Sequence, residues 1–390
     1  MKIRGLPLKL DYYGAPEVLT SRHFQAYRMA EFERVYLPES MRPFVGASPL
    51  GSRDFVADDN RGAVSPDPFV SIDGTEFHLS VKGVGSTAHP FSRRPLGRAE
   101  VSAQVADPAL RDRVLGAGKE GPGRYLTAEL WQRLSPYGGQ GLEHANYAMR
   151  ASEMDDVTSI HGFRIAPLVK TVMLPRDLEE NVRKVYWYRR FEGRMVQEAR
   201  LVPSNVRIYF HSQFTVGGDT SSVFDFLEVD SETKARRFME NFVRSGIAFL
   251  TLFARSMAKN SDRTLSGLDF YDVWLDKDAV LAPDGTIYFV DLEGLEWVTV
   301  HEKDVKEKLY SQVFRSLYEF MYAYEQIERE RFARFGGERD RKVQFARLLE
   351  EALRRDEVVE VVSKGKSLVL KVGNILGEER LAEEFRIVDW

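Results

Sequence analysis

The 390 residues are 43% hydrophobic, enough to bury a substantial core, and the length points to two lobes or domains rather than one. The 55 basic residues against 59 acidic ones leave a net charge of -4, so no global basic field argues for nucleic acid or an anionic membrane surface. No cysteine is present, which excludes disulfides, thiolate metal sites and cysteine nucleophiles and fits an intracellular protein.

The opening residues, "MKIRGLPLKLDYYG", lack the continuous apolar core of a signal peptide, and no window holds the roughly 18 uncharged apolar residues of a membrane span. A cytoplasmic location without membrane contact is expected. Residues 1 to about 70 are punctuated by Pro, Gly and Asp and read as short helices and irregular segments, an N-terminal extension wrapped on something larger. "GTEFHLSVKGVGS" is the first clear strand: Phe77, Leu79 and Val81 alternate with His78, Ser80 and Lys82, so Lys82 lies on the face opposite the apolar set. Ser86 to Gly141 is polar and rich in Gly and Pro, with Arg93, Arg94 and Arg98 close together, and reads as a long ligand-covering loop. "GLEHANYAMRASEMDDV" has helix formers and no breaker after Gly141, which predicts a helix carrying Glu143 and Glu153. "FRIAPLVKTVMLP", "KVYWYRRFEG", "RMVQEARLVP" and "NVRIYFHSQF" then read as antiparallel strands that complete a sheet-rich N-terminal lobe, residues 71–213.

A helical C-terminal lobe, residues 214–357, follows. Ser231 is the expected N-cap of a long helix with an apolar stripe through Phe238, Phe242, Ile247, Leu250 and Phe253. In "DKDAVLAPDGTIYFVDLEG" two short strands flank an Asp284-Gly285 turn, with Asp278 before the first and Asp291 after the second. Two further helices are expected over 303–334 and 338–356. Residues 358–390 then form a hairpin, with Gly365 in its turn, and a tail.

A strand lysine, a following helix with an acid, a long helix and an acid-tipped hairpin, in that order, give an α+β bilobal plan resembling the protein-kinase-like fold. Asp278 and Asp291 are thirteen positions apart, the interval between the catalytic-loop Asn and the DFG Asp of kinases. Two hard oxygen ligands from adjacent strand ends can hold Mg2+ against nucleotide phosphates. The plainer reading is a surface hairpin with solvated aspartates. The position of the kinase catalytic base falls on Val273, which leaves Asp272 or Asp276 to supply a carboxylate.

Within that fold, "VKGVGSTAHPFSRRPLGRAE" resembles the stretch around the nucleotide-binding lysine of the selenoprotein O family, pseudokinase-fold proteins that transfer AMP to protein hydroxyls. The likeness rests on Lys82, Gly83, Gly85, Thr87, Ser92, Arg93, Gly97 and Arg98, with "LVPSNVRIYFHSQF" resembling the hinge-side strand. It implies ATP and Mg2+ as cofactors, Asp278 and Asp291 as metal ligands, and Lys82 on the phosphates. The Asp that the family uses as base falls on Lys277, and its C-terminal cysteine or selenocysteine has no counterpart. The expected partner of Lys82 is Glu153, then Glu143, and Arg93 or Arg98 would clamp phosphate bidentately. Glu293 is a further carboxylate for the metal site or a solvated acid. The histidines show no metal-ligand spacing and are given no role.

Three functions follow as expectations. The first is an ATP- and Mg2+-dependent transferase moving AMP or phosphate to a hydroxyl of a protein or small molecule. The second is a small-molecule kinase of the aminoglycoside or homoserine type. The third is a catalytically inactive pseudokinase whose cleft supports protein interaction.

Overall fold

The computed structural model describes residues 7–21, 34–58, 62–84, 140–152, 164–186, 193–207, 223–250, 258–270, 278–290, 295–304, 323–337, 359–364, 367–372 and 383–387, save single positions within these runs, and a few isolated residues besides. Strands β1 (Pro7–Gly14), β2 (Val18–Thr20), β3 (Arg34–Pro38), β4 (Gly51–Asp58), β5 (Gly62–Ile72), β6 (Thr75–Lys82), β7 (Gln140–Gly141), β9 (Leu168–Met173) and β10 (Met195–Val202) form one nine-stranded antiparallel sheet. Its order is β2-β9-β10-β6-β5-β4-β1-β3, with β7 also on β10. The short strand β8 (Arg164–Ile165) belongs elsewhere.

The described part of the first 70 residues is thus mainly sheet rather than the short helices and irregular segments their Pro and Gly suggest. In β1 the alternation of Leu8 and Leu10 with Pro7 and Lys9 is a half-buried strand pattern. Pro66 and Pro68 interrupt β5 without ending it. Proline cannot donate to a ladder, and the register of β5 on β6 shifts on both sides of Pro68.

The sheet curls. Leu10 of β1, Tyr36 of β3 and Phe55 of β4 share one buried cluster with Leu79 and Val81 of β6 and Leu201 of β10, although β3 ends the strand order far from β10. Gln197 of β10 bridges the closure. Its amide oxygen accepts from the Tyr36 N–H at 2.8 Å, and its nitrogen donates to the Tyr36 carbonyl at 2.5 Å and to the Gly83 carbonyl at 3.2 Å. One side chain therefore replaces a missing pair of ladder hydrogen bonds. Near the same end, the buried Asp11 takes Arg42 at 2.7 and 2.6 Å and Ser52 at 2.6 Å, tying the short helix α1 (Arg42–Val45) to β1 and β4.

Helix α2 (Leu142–Ser152) follows β7, as its composition predicts. The run "KVYWYRRFEG", expected as a strand, instead supplies the end of helix α3 (Arg176–Tyr186) in its first three residues, while 187–192 lie outside the described residues. Asp177 and Glu179 in the first turn favour that helix through the dipole, and the aromatic residues at its end do not outweigh eight preceding helical positions.

Among the described residues beyond 214, helix and sheet alternate. Helix α4 (Val223–Phe226) leads to α5 (Glu232–Leu250), where Ser231 is the N-cap: its carbonyl accepts from Ala235 and its Oγ from Lys234 at 3.4 Å. Strands β11 (Ala258–Lys259), β12 (Thr264–Phe270) and β15 (Leu295–His301) make a three-stranded sheet that the helical reading of this half did not contain. The expected hairpin is present as β13 (Ala279–Leu281) and β14 (Ile287–Phe289), joined in parallel to β8. Residues 323–335 are helical, whereas the helix expected over 338–356 lies outside the described residues. The C-terminal hairpin is β16 (Val359–Lys364) and β17 (Ser367–Val372), extended by β18 (Glu383–Ile387). The chain is therefore mixed α+β with one large antiparallel sheet. Among the described residues no helix is long and apolar enough to cross a membrane.

Candidate functional site

The apolar set of β6 turns into the curl, so its other face looks outward. Register across the sheet places Asp58, Gly62, Lys82, Glu198 and Thr171 in one row on that outer face, contributed in turn by β4, β5, β6, β10 and β9. The adjacent row holds Val56, Val64, Ser80 and Arg200. Charge is concentrated in a place where strands are otherwise apolar.

Among the described residues, two elements cover this face. Ala145 of α2 packs on Met173 and Val196, while Val280 and Val290 of the hairpin pack with Val56, Val64, Ala166 and Val202. The segment after β10 fixes the hairpin: Leu281 N–H donates to the Val206 carbonyl at 2.8 Å, and Ser204 Oγ donates to the Leu281 carbonyl at 2.5 Å. Gly285 sits in the hairpin turn at φ +91, and a Cβ there would also lie 2.1 Å from the Phe238 carbonyl of α5. The Asp284-Gly285 signal in the sequence locates this turn correctly.

Glu198 is fully buried, and three N–H groups hold its carboxylate: Gln140 Nε2 at 2.7 Å, Arg200 Nη2 at 2.6 Å and Arg200 Nε at 3.2 Å. Arg207 reaches Asp58 at 3.3 Å. Lys82 is half-buried, directly opposite Glu198 in the ladder. Gly83 follows at φ +88, where a Cβ would lie 2.8 Å from the Val196 carbonyl and 3.0 Å from Gln140 Cβ, so the chain leaving Lys82 is pressed onto β10. His78, in the same set, is buried; burial lowers its pKa, against a hydrogen bond of Nδ1 to the Ser65 carbonyl at 3.0 Å.

Asp278 is buried at the start of the hairpin, and its carbonyl accepts the N–H of Val290, the residue before Asp291, at 2.8 Å. Lys82 and the hairpin that begins at Asp278 thus meet one face of the sheet. Glu143 lies in α2, and its side chain is outside the described set. Arg93, Arg94, Arg98, Glu153, Asp272, Val273, Asp276, Lys277, Asp291 and Glu293 also lie outside the described residues. Sequence reasoning missed Asp58, Gln140, Glu198, Arg200 and Arg207. The signal for two of them was available, since "MVQEARLV" places Glu198 and Arg200 two apart, on one face of a strand. Among the described residues no group of three or more His, Asp and Glu converges on a metal position. In comparisons with known proteins, no family model matches the chain and no curated protein matches it.

Proposed function

We propose that the chain is an ATP- and Mg2+-dependent transferase of bilobal protein-kinase-like fold that moves AMP or a phosphoryl group to a hydroxyl of a protein or small molecule. The observation that carries this reading is the convergence of Lys82 and the Asp278 hairpin on one face of an antiparallel sheet that α2 also covers. A kinase-type site needs a strand lysine facing the phosphates, a neighbouring helix, and oxygen ligands at the ends of a hairpin beneath them.

The residues suit the cofactors by their chemistry. Asp278 is a buried carboxylate, a hard oxygen donor of the kind Mg2+ prefers, and the Val290 N–H bond brings the chain just before Asp291 opposite it. Mg2+ held there would neutralise charge on the phosphates. Lys82 would add a point charge, with Arg93 or Arg98 as the bidentate guanidinium and Glu153 as the helix acid for Lys82. Asp276 or Asp272 would take the acceptor proton. The connection between β4 and β5, residues 59–61, carries no G-x-G-x-x-G pattern, so covering the phosphates falls to the Gly- and Pro-rich segment after Gly85. Transfer of AMP is preferred over phosphate through the likeness to selenoprotein O.

The test is calorimetric titration with ATP in Mg2+. Asp291→Ala is expected to abolish binding while circular dichroism and melting stay those of the parent. If Asp291→Ala binds as tightly as the parent, the metal assignment fails. Binding by the parent without any transfer would favour a scaffold, the reading that Val273 at the base position supports.

A further inference from the structure

We infer that Arg207 is a positioning residue for the Asp278 hairpin, a two-sided tether that pairs with the hairpin through its backbone and anchors it on Asp58 of the large sheet through its side chain. Its part in metal binding rests on the nucleotide-site reading of this face, because Asp278 is the proposed Mg2+ ligand.

Val280 and Val290 of the hairpin pack with Val56, Val64, Ala166 and Val202. Apolar burial is non-directional, so it holds two elements together without setting how one lies along the other. Direction comes from the segment after β10. Val206 N–H donates to Ser204 Oγ at 2.9 Å, and Ser204 Oγ donates to the Leu281 carbonyl at 2.5 Å. Leu281 N–H donates to the Val206 carbonyl at 2.8 Å, and Arg207 makes an antiparallel bridge with Val280. Residues 204–207 and β13, which Asp278 immediately precedes, are therefore laced into one unit.

The side chain of Arg207 ties that unit to the sheet. Its Nη2 donates to Asp58 Oδ2 at 3.3 Å, with the two side chains only 12% and 8% exposed. A charge-assisted hydrogen bond so shielded from water is directional and weakly screened, which the apolar contacts are not. Asp58 is a firm anchor. It pairs with Gly62 on the rung nearest the β4–β5 connection, where a Cβ on Gly62 would lie 2.5 Å from the Asp58 carbonyl. One residue thus joins the strand that Asp278 opens to the end of β4, beside the packed Val56. Mg2+ demands near-octahedral geometry at about 2.0–2.1 Å, so a hairpin free to slide on its apolar contacts would present Asp278 poorly.

A contact that only stabilises and one that also positions Asp278 are separated by removing the pair whole. Arg207→Met or Asp58→Asn alone leaves the other group without this partner, whereas the double variant removes both charges. Thermal melting, hydrogen exchange over residues 279–289 and the Mg2+ concentration needed for half-maximal ATP binding by calorimetry are measured on the parent, Arg207→Lys, both single variants and the double variant. Expected are lower melting in the single variants and partial recovery in the double variant. Hairpin exchange stays faster than in the parent in both Arg207→Met and the double variant, and their Mg2+ requirement stays raised by about tenfold or more. Arg207→Lys, which keeps a donor for Asp58, lies between them and the parent. Parent-like exchange in the folded double variant overturns the tether, and faster exchange with a parent-like Mg2+ requirement overturns its role in positioning Asp278 while the nucleotide reading stands. A parent that binds no ATP overturns the nucleotide reading and the metal role together, and hydrogen exchange, read without nucleotide, still decides the tether.

Discussion

The closure of the large sheet by Gln197 can be tested by removing its amide. In Gln197→Ala, the Tyr36 N–H and carbonyl lose the partners they have at 2.8 and 2.5 Å, and the Gly83 carbonyl loses a third bond. Tyr36 is buried at 2% exposure, so water does not replace the amide without opening the curl. Each buried polar group left without a partner costs about 1–3 kcal/mol, so the Tyr36 pair alone accounts for about 2–6 kcal/mol. That is a large share of a typical stability of about 5–15 kcal/mol. Gln197→Glu is the informative companion. It keeps an acceptor for the Tyr36 N–H but turns a second oxygen toward two carbonyls and buries a charge, so it is expected to lose at least as much. Urea unfolding followed by circular dichroism measures both. A change below about 0.5 kcal/mol in either variant would refute the closure argument, because that is the range of substitutions that touch nothing important.

Two other outcomes follow from the same structure. Gly285→Ala places a Cβ at positive φ and 2.1 Å from the Phe238 carbonyl, whereas Gly336→Ala, at φ +74, meets nothing within 4 Å. Strain alone costs about 1–3 kcal/mol at either site, so melting should fall clearly further for Gly285→Ala, and equal losses would contradict the contact between hairpin and α5. His78 is held below its ordinary pKa of 6.5 by burial, so the unfolded chain takes up the proton first. Its contribution is complete above about pH 6.5 and is lost as pH falls through the lower, folded value. Stability from pH 7 to pH 5 should therefore decline less in His78→Gln than in the parent, and an equal slope in urea unfolding would count against it.

Part of the large sheet was legible: β6, β9 and β10 fall in runs that read as strands, whereas β1 to β5 lie in the stretch that read as short helices and irregular segments. β6 shows Phe77, Leu79 and Val81 against polar neighbours, and the Asp284-Gly285 turn and Ser231 cap announce the hairpin and α5 by local chemistry. β5 was hidden because Pro66 and Pro68 read as breakers, and only long-range pairing with β4 and β6 lets a bulged strand absorb them. β12 and β15 were missed for a related reason: Gly267 and the charged Asp269 and Glu296 dilute their pattern, and their mutual pairing is not a local signal. At the site, Lys82 was visible as the last of the polar residues that alternate with the apolar set of its strand. Its opposition to Glu198 was not, since the two are more than a hundred residues apart and register is a tertiary fact.

The proposed transferase activity is tested most directly by incubating the protein in Mg2+ with ATP labelled on the α phosphate and, separately, on the γ phosphate, and reading label on protein or in cell extract. The account predicts magnesium-dependent transfer of α label that disappears in Asp278→Ala and Lys82→Met, and γ label alone would assign phosphoryl transfer at the same site. No transfer of either label, together with no heat of ATP binding by the folded parent, would contradict it.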